Sequence, residues 1–214
     1  MKTICFDLDG TLTDPKVGIT KSVQYALKKF GINIPDPDEL CCFIGPPLRE
    51  SFHKYYGFDA EKANEAVEEY RKYFTVTGIY ENTLFEGIAE MLESLKNQGK
   101  RIILATSKPE AYAVSILQYF DLEKYFDFIG GSELDGKRSG KAEVISYALE
   151  KYPVADKAKT VMVGDRSHDI IGAKKTGIAS IGVLYGYGDY EELSGAKADI
   201  IVGSVAELSR ALLI

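Results

Sequence analysis

The stretch Thr3-Ile4-Cys5-Phe6-Asp7-Leu8-Asp9-Gly10-Thr11-Leu12-Thr13 decides the reading of the whole chain. Four apolar or β-branched residues make a short strand, and two carboxylates follow at once. Residues i and i+2 of an extended segment project to the same side, so Asp7 and Asp9 face one ligand while Leu8 packs away from it. Gly10 permits a sharp departure of the backbone. Two close carboxylates repel each other, so the arrangement needs a cation or a proton held on one of them. Asp and Gly after a strand also make ordinary turns, and the rest of the chain has to separate the two readings.

Working outward, further short apolar runs occur at 101–105, 126–129, 160–163, 179–183 and 199–202. Helical patterns lie between most of them. Ile88, Met91, Leu92 and Leu95 repeat at helical spacing, as do Val144, Ile145, Ala148 and Leu149. Ser204 followed by Glu207 is a capping-box signature ahead of Val205, Leu208 and Leu212. Alternating strand and helix predicts an α/β fold, a Rossmann-like parallel sheet with helices on both faces. In such sheets ligands bind beyond the carboxyl ends of the strands, where Asp7 and Asp9 stand.

The stretch from 15 to 80 breaks the alternation. Ile19, Val23, Ala26, Leu27 and Phe30 form one helical stripe, and Ala63, Ala66, Val67, Tyr70 and Phe74 form another. The expectation is an α/β core domain of residues 1–14 and 81–214, with an inserted all-helical domain of residues 15–80. Charges between Asp59 and Arg71 read as a solvated helix face.

Two more strand ends carry chemistry. The run ending at Ala105 leads into Thr106-Ser107-Lys108-Pro109-Glu110. Ser107 and Glu110 have capping-box spacing, which leaves Thr106 as the hydroxyl available to a phosphate oxygen beside a helix N-terminus. The run 160–163 leads into Gly164-Asp165-Arg166-Ser167-His168-Asp169. Asp165 with Asp7 and the backbone carbonyl of Asp9 offers hard oxygen ligands, which suits Mg²⁺. Asp165 also fits a plain helix N-cap. Asp169 reads as an anchor for a lysine or a metal-bound water. An anion site needs a fixed positive charge, for which Lys108, Lys137, Arg138 and Lys141 compete. Lys141 is favoured because it opens a helix just after the third strand. His53 and His168 read as structural or surface residues.

Asp7-Leu8-Asp9-Gly10-Thr11, Thr106, Lys141 and the 164–169 segment resemble, in order, the four motifs of the haloacid dehalogenase superfamily of phosphohydrolases. The likeness covers nearly the whole chain. The helical insert resembles the mobile cap of the phosphoglycolate phosphatase-like branch, as do Ile44-Gly45-Pro46-Pro47-Leu48 and Leu184-Tyr185-Gly186-Tyr187-Gly188. The resemblance implies that Asp7 is the nucleophile and Asp9 the acid, then the base. It also implies that Thr106 and Lys141 hold phosphoryl oxygens and that Asp7, Asp9 and Asp165 hold Mg²⁺, with Asp169 in support. Gly10, Thr11, Ser107 and Arg49 are the expected phosphate and substrate contacts. Where the family often has Lys-Pro in its third motif, this chain has Lys141-Ala142.

Composition bounds the remaining choices. The 214 residues carry 26 basic and 32 acidic side chains, a formal net charge of −6, and are 45% hydrophobic. This acidic balance argues against nucleic acid or an anionic membrane as partner. Asp7 interrupts the first apolar stretch and no run is long enough to span a bilayer, so a cytoplasmic protein is expected, as a monomer or homodimer. Cys5, Cys41 and Cys42 read as small buried packing residues. The expected activity is Mg²⁺-dependent hydrolysis of a small phosphomonoester, with phosphoglycolate first, a nucleoside 5′-monophosphate second and pyrophosphate as a further candidate. A sugar phosphomutase and a catalytically inactive phosphate-binding regulator are the alternatives.

Overall fold

The computed structural model describes residues 1–154 and 156–213. Internal packing divides it into two compact units, Met1–Asp14 with Leu84–Ile214, and Pro15–Thr83. The strands are β1 (Thr3–Phe6), the short β2 (Thr13–Asp14) and β3 (Thr83–Leu84), then β4 (Arg101–Pro109), β5 (Phe128–Ser132), β6 (Thr160–Gly164), β7 (Ala179–Val183) and β8 (Ile200–Val202). The helices are α1 (Lys16–Lys29), α2 (Leu48–Tyr56), α3 (Ala60–Phe74), α4 (Ile88–Asn97), α5 (Glu110–Tyr119), α6 (Lys141–Lys151), α7 (Ser167–Thr176), α8 (Tyr190–Gly195) and α9 (Val205–Leu213).

Six strands form one sheet in the order β5-β4-β1-β6-β7-β8. Every pair in it is parallel. This explains why the strands read as unbroken apolar runs, since both faces of a parallel sheet are covered. On one face Cys5, Ile103, Ala105 and Met162 pack with Val144, Ile145, Ala148 and Leu149 of α6 and Ala173 of α7. α4 and α5 pack against β4 and α9 against α4, and the right-handed crossover rule puts them on the face opposite α6 and α7. Ile4 and Phe6 of β1 are fully buried, and each such side chain stabilises the fold by roughly 1.5–3 kcal/mol.

Cys5 lies in this core, and burial pushes its thiol up to about 12. Cys41 and Cys42 depart from expectation: both are only half-buried, because they sit on a short 3₁₀ turn, Pro37–Phe43, that buries Leu40 and Phe43 instead.

The second unit is built on the two stripes read from the sequence. Ile19, Val23, Ala26 and Leu27 are buried on α1, and Ala63, Ala66, Val67, Tyr70 and Phe74 on α3. Asp59 caps α3 by accepting from the Lys62 N–H. Phe43, Phe52 and Phe58 add an aromatic cluster. Among the described residues, no helix is long and apolar enough to cross a membrane.

Register fixes the site. Cys5 stands opposite both Ile103 and Met162, and Phe6 opposite Leu104 and Val163. The chain therefore leaves β1, β4 and β6 side by side at one edge of the sheet.

Candidate active site

Asp7 is the first residue past β1 and is held there by its backbone N–H, which donates to the Val163 carbonyl at 2.9 Å. Gly10 follows with φ of +79°, and its N–H donates to the Thr13 carbonyl, closing a tight loop. A Cβ at Gly10 would sit 2.2 Å from Asp165 Oδ2, so the backbone approaches that carboxylate as only glycine allows. The Thr11 side chain is fully buried, and its hydroxyl donates to Asp165 Oδ1 at 3.3 Å.

Asp165 follows β6 directly and is itself fully buried. It is not the helix cap that its position also allowed, since α7 is capped by Arg166. Asp169 sits in the first turn of α7, where its Oδ2 accepts from the Arg166 N–H at 3.1 Å. Glu192 completes that helix end by accepting from the Ser167 N–H and hydroxyl and from Arg166 Nε.

Carboxylate oxygens of Asp7, Asp165 and Asp169 all lie within 4.8 Å of one another, and all three residues are buried. Desolvation, followed by Asp169 and Asp7, holds Asp165 well above the usual carboxylate range. Burial likewise raises Asp169 to about 6, with Lys141 opposing it. Three carboxyl groups thus face one ammonium.

That ammonium belongs to Lys141, the first residue of α6. Its Nζ lies 2.7 Å from Asp7 Oδ1 and 2.9 Å from Asp169 Oδ1, with 4% of the side chain exposed. Burial works against its charge, but Asp169 and Asp7 outweigh burial and raise its pKa. Two of the competing basic residues, Lys137 and Arg138, are engaged elsewhere. Lys137 is 78% exposed and pairs with Asp135. Arg138 donates to the Gly131 carbonyl, pairs with Glu133 and stacks on Tyr147.

The β4 end differs from the sequence reading. Ser107 does not cap α5: the strand runs on to Pro109, which pairs with Ser132 past an irregularity in the ladder, and Pro109 takes the cap position. Glu110 instead accepts from the Gly131 N–H. Thr106 is buried, and its hydroxyl oxygen already accepts from the Lys108 N–H at 3.2 Å, leaving its own proton to donate. Lys108 Nζ donates to Asp9 Oδ2 at 2.6 Å in a nearly buried pair. Asp9 is nevertheless raised above the usual carboxylate range, chiefly by desolvation. Its other oxygen is buried and meets no hydrogen-bond donor among the described residues.

The segment after β7 packs against the loops that follow β1 and β6. Tyr185 donates its hydroxyl to the Thr11 carbonyl at 3.1 Å, the Tyr187 N–H donates to Asp165 Oδ2 at 2.8 Å, and the Tyr187 hydroxyl bonds Asp14 Oδ1. A Cβ at Gly186 would lie 2.3 Å from the Gly10 carbonyl oxygen and 2.4 Å from Asp165 Cβ. In the sequence this strap is marked only by its resemblance to the phosphoglycolate phosphatase-like branch.

Arg49 and His53 belong to the helical unit. Arg49 stands in the first turn of α2, and the His53 ring bonds the Phe58 carbonyl.

The donor set fits a hard divalent cation. It is all oxygen, buried, and short of positive charge. The match to the haloacid dehalogenase-like hydrolase model runs over residues 4–183. The chain belongs to the haloacid dehalogenase-like hydrolase family. Within this family, the 5′-nucleotidase of Pseudomonas aeruginosa is 47% identical over 209 residues, 98% of this chain and 94% of the relative. The crystal structure of a predicted phosphatase from Clostridium acetobutylicum superposes with a TM-score of 0.97 at 50% identity, covering 99% of this chain and 98% of that one. The tyrosine-protein kinase PtkA of Mycobacterium tuberculosis is 38% identical over 212 residues, 98% of this chain and 72% of the relative.

Proposed function

We propose that this chain is a Mg²⁺-dependent phosphomonoesterase working through an aspartyl-phosphate, with a nucleoside 5′-monophosphate as first candidate substrate and phosphoglycolate as second. The observation that carries the reading is the buried cluster of Asp7, Asp165, Asp169 and Lys141, with Asp9 beside it. The 47% identity to a protein named 5′-nucleotidase supports the substrate order.

Asp7, Asp165 and the Asp9 carbonyl would hold the ion, which supplies charge neutralisation for a transferring phosphoryl group. In the first half-reaction an Asp7 carboxylate oxygen bonds to phosphorus as the ester P–O bond breaks. Asp9 gives its proton to the leaving alkoxide, and its raised pKa suits that task. In the second half, Asp9 takes a proton from water while the water oxygen bonds to phosphorus, releasing phosphate and restoring the Asp7 carboxylate. Lys141 offsets the charge on Asp7 and the phosphoryl oxygens throughout, and the Thr106 hydroxyl donates to one of those oxygens. Gly10 and Thr11 shape the loop around the phosphoryl group, and Ser107 stands on the neighbouring strand. Arg49 is the residue of the helical unit assigned to a second anionic group of the substrate.

Phosphate release from nucleoside 5′-monophosphates, phosphoglycolate and pyrophosphate, with Mg²⁺ and with EDTA, tests the proposal. Release that needs Mg²⁺ and disappears in Asp7→Asn supports it. Isomerisation of a sugar phosphate without phosphate release, or transfer from ATP to a tyrosine peptide with no hydrolysis, replaces it. Phosphate binding with no turnover on any substrate leaves a regulator.

A further inference from the structure

We propose that Tyr187 is a positioning residue for the metal site, holding Asp165 in place by anchoring its own loop to Asp14. The inference rests on the reading of Asp165 as a metal ligand. Its basis is a single residue bonded at both ends. The Tyr187 backbone N–H donates to Asp165 Oδ2 at 2.8 Å, and its side-chain hydroxyl bonds Asp14 Oδ1. Asp14 is the last residue of the sheet unit before the chain passes into the helical unit.

Among the described residues, two hydrogen bonds set the orientation of the Asp165 carboxylate. Its Oδ1 takes a long bond from Thr11, at 3.3 Å, whereas Oδ2 takes the shorter one from Tyr187. The Tyr187 N–H can aim at Oδ2 only if the 184–188 backbone keeps its path. That path has three fixed points. Tyr185 bonds the Thr11 carbonyl, Gly186 lies against Gly10 and Asp165, and the Tyr187 hydroxyl reaches Asp14. A backbone donor carries no charge of its own, so it orients the carboxylate without competing with a cation for it. Removing the Tyr187 hydroxyl leaves the peptide group present but releases one of its tethers. The predicted loss is therefore in cation affinity.

The test is Mg²⁺ titration of the intact protein by calorimetry without substrate, on wild type, Tyr187→Phe, Asp14→Ala and the double variant. Tyr190→Phe, on an exposed tyrosine of α8, is the control. A hydrogen bond to a charged group supports an expected weakening of Mg²⁺ binding by about tenfold in Tyr187→Phe. Asp14→Ala should weaken it similarly and the double variant no further, since both remove one bond. The melting temperature in EDTA should fall by only a few degrees, as for one lost hydrogen bond, whereas a merely structural role would leave the Mg²⁺ affinity of the folded protein unchanged. Equal Mg²⁺ affinity in wild type and Tyr187→Phe overturns the inference, as do additive effects in the double variant. Failure of the wild type to bind Mg²⁺ overturns the metal-site reading itself, a separate result.

Discussion

Lys141 Nζ stands 2.7 Å from Asp7 Oδ1, and both side chains are almost wholly buried. The same ammonium reaches Asp169 at 2.9 Å, so a single positive charge is shared between two carboxylates. Replacing it with the similarly long but neutral methionine, Lys141→Met, should lower turnover by roughly 10²–10³-fold, the usual cost of losing a charge-stabilising donor. Steady-state kinetics at saturating Mg²⁺ measure this. An unchanged kcat would remove Lys141 from the reaction.

The roles of Asp7 and Asp9 separate in magnitude. Asp7→Asn should abolish turnover, because the amide is not a competent nucleophile. Asp9→Asn should cost about 10²–10⁴-fold, as expected for a general acid. Circular dichroism should show both variants folded. If Asp7→Asn keeps hydrolysing substrate, the covalent route is wrong.

Acidic crowding predicts an unusual stability profile for the metal-free protein. Asp169 is raised to about 6 and Asp165 is raised too, so the folded state binds more protons than the unfolded one between about pH 4 and 6. Stability contributed by these protonated groups is present at low pH and lost as pH rises through the folded value. Melting in EDTA should therefore fall by on the order of 5 °C from pH 5 to pH 7. Added Mg²⁺ should flatten that slope by binding the folded state alone. A melting temperature that climbs over the same range in EDTA would contradict this account.

Glu192 has the opposite sign. Burial opposes its ionisation, but donation from the Ser167 N–H, Arg166 and the Ser167 hydroxyl lowers its pKa. Its contribution to stability is present above the unfolded value and lost as pH falls through the lower folded one. Glu192→Gln should therefore destabilise at pH 7 by about 1–2 kcal/mol and make little difference near pH 3. Denaturant melts at the two pH values distinguish this from a pH-independent packing defect.

Gly186 has no room for a methyl group, since its Cβ would meet the Gly10 carbonyl oxygen at 2.3 Å. Gly186→Ala should destabilise the fold by roughly 1–3 kcal/mol and weaken Mg²⁺ binding at the same time. Thermal melts with and without the ion report both effects.

Much of this was legible because parallel-sheet physics is local in sequence. The strands β1 and β7 read as whole apolar runs, and the α1 and α3 stripes are the buried faces observed. Lys141 is less legible in the sequence than the aspartates. Its selection depends on where three neighbouring basic residues point, which spacing does not encode. Ser107 misled because its capping-box spacing with Glu110 is a local signal, overridden when pairing with β5 extended β4 to Pro109. The Lys108–Asp9 bond joins residues 99 positions apart and the Tyr187–Asp14 bond residues 173 apart, so no periodicity announces them.

The place of β1 in the sheet has a temporal consequence. Of the six sheet strands this one is synthesised before the others, yet its two neighbours, β4 and β6, begin at Arg101 and Thr160. Until the later of them has been synthesised, β1 has an unpaired edge that other nascent chains could zip onto. Such distant pairing slows folding, and truncated products ending before residue 160 should aggregate.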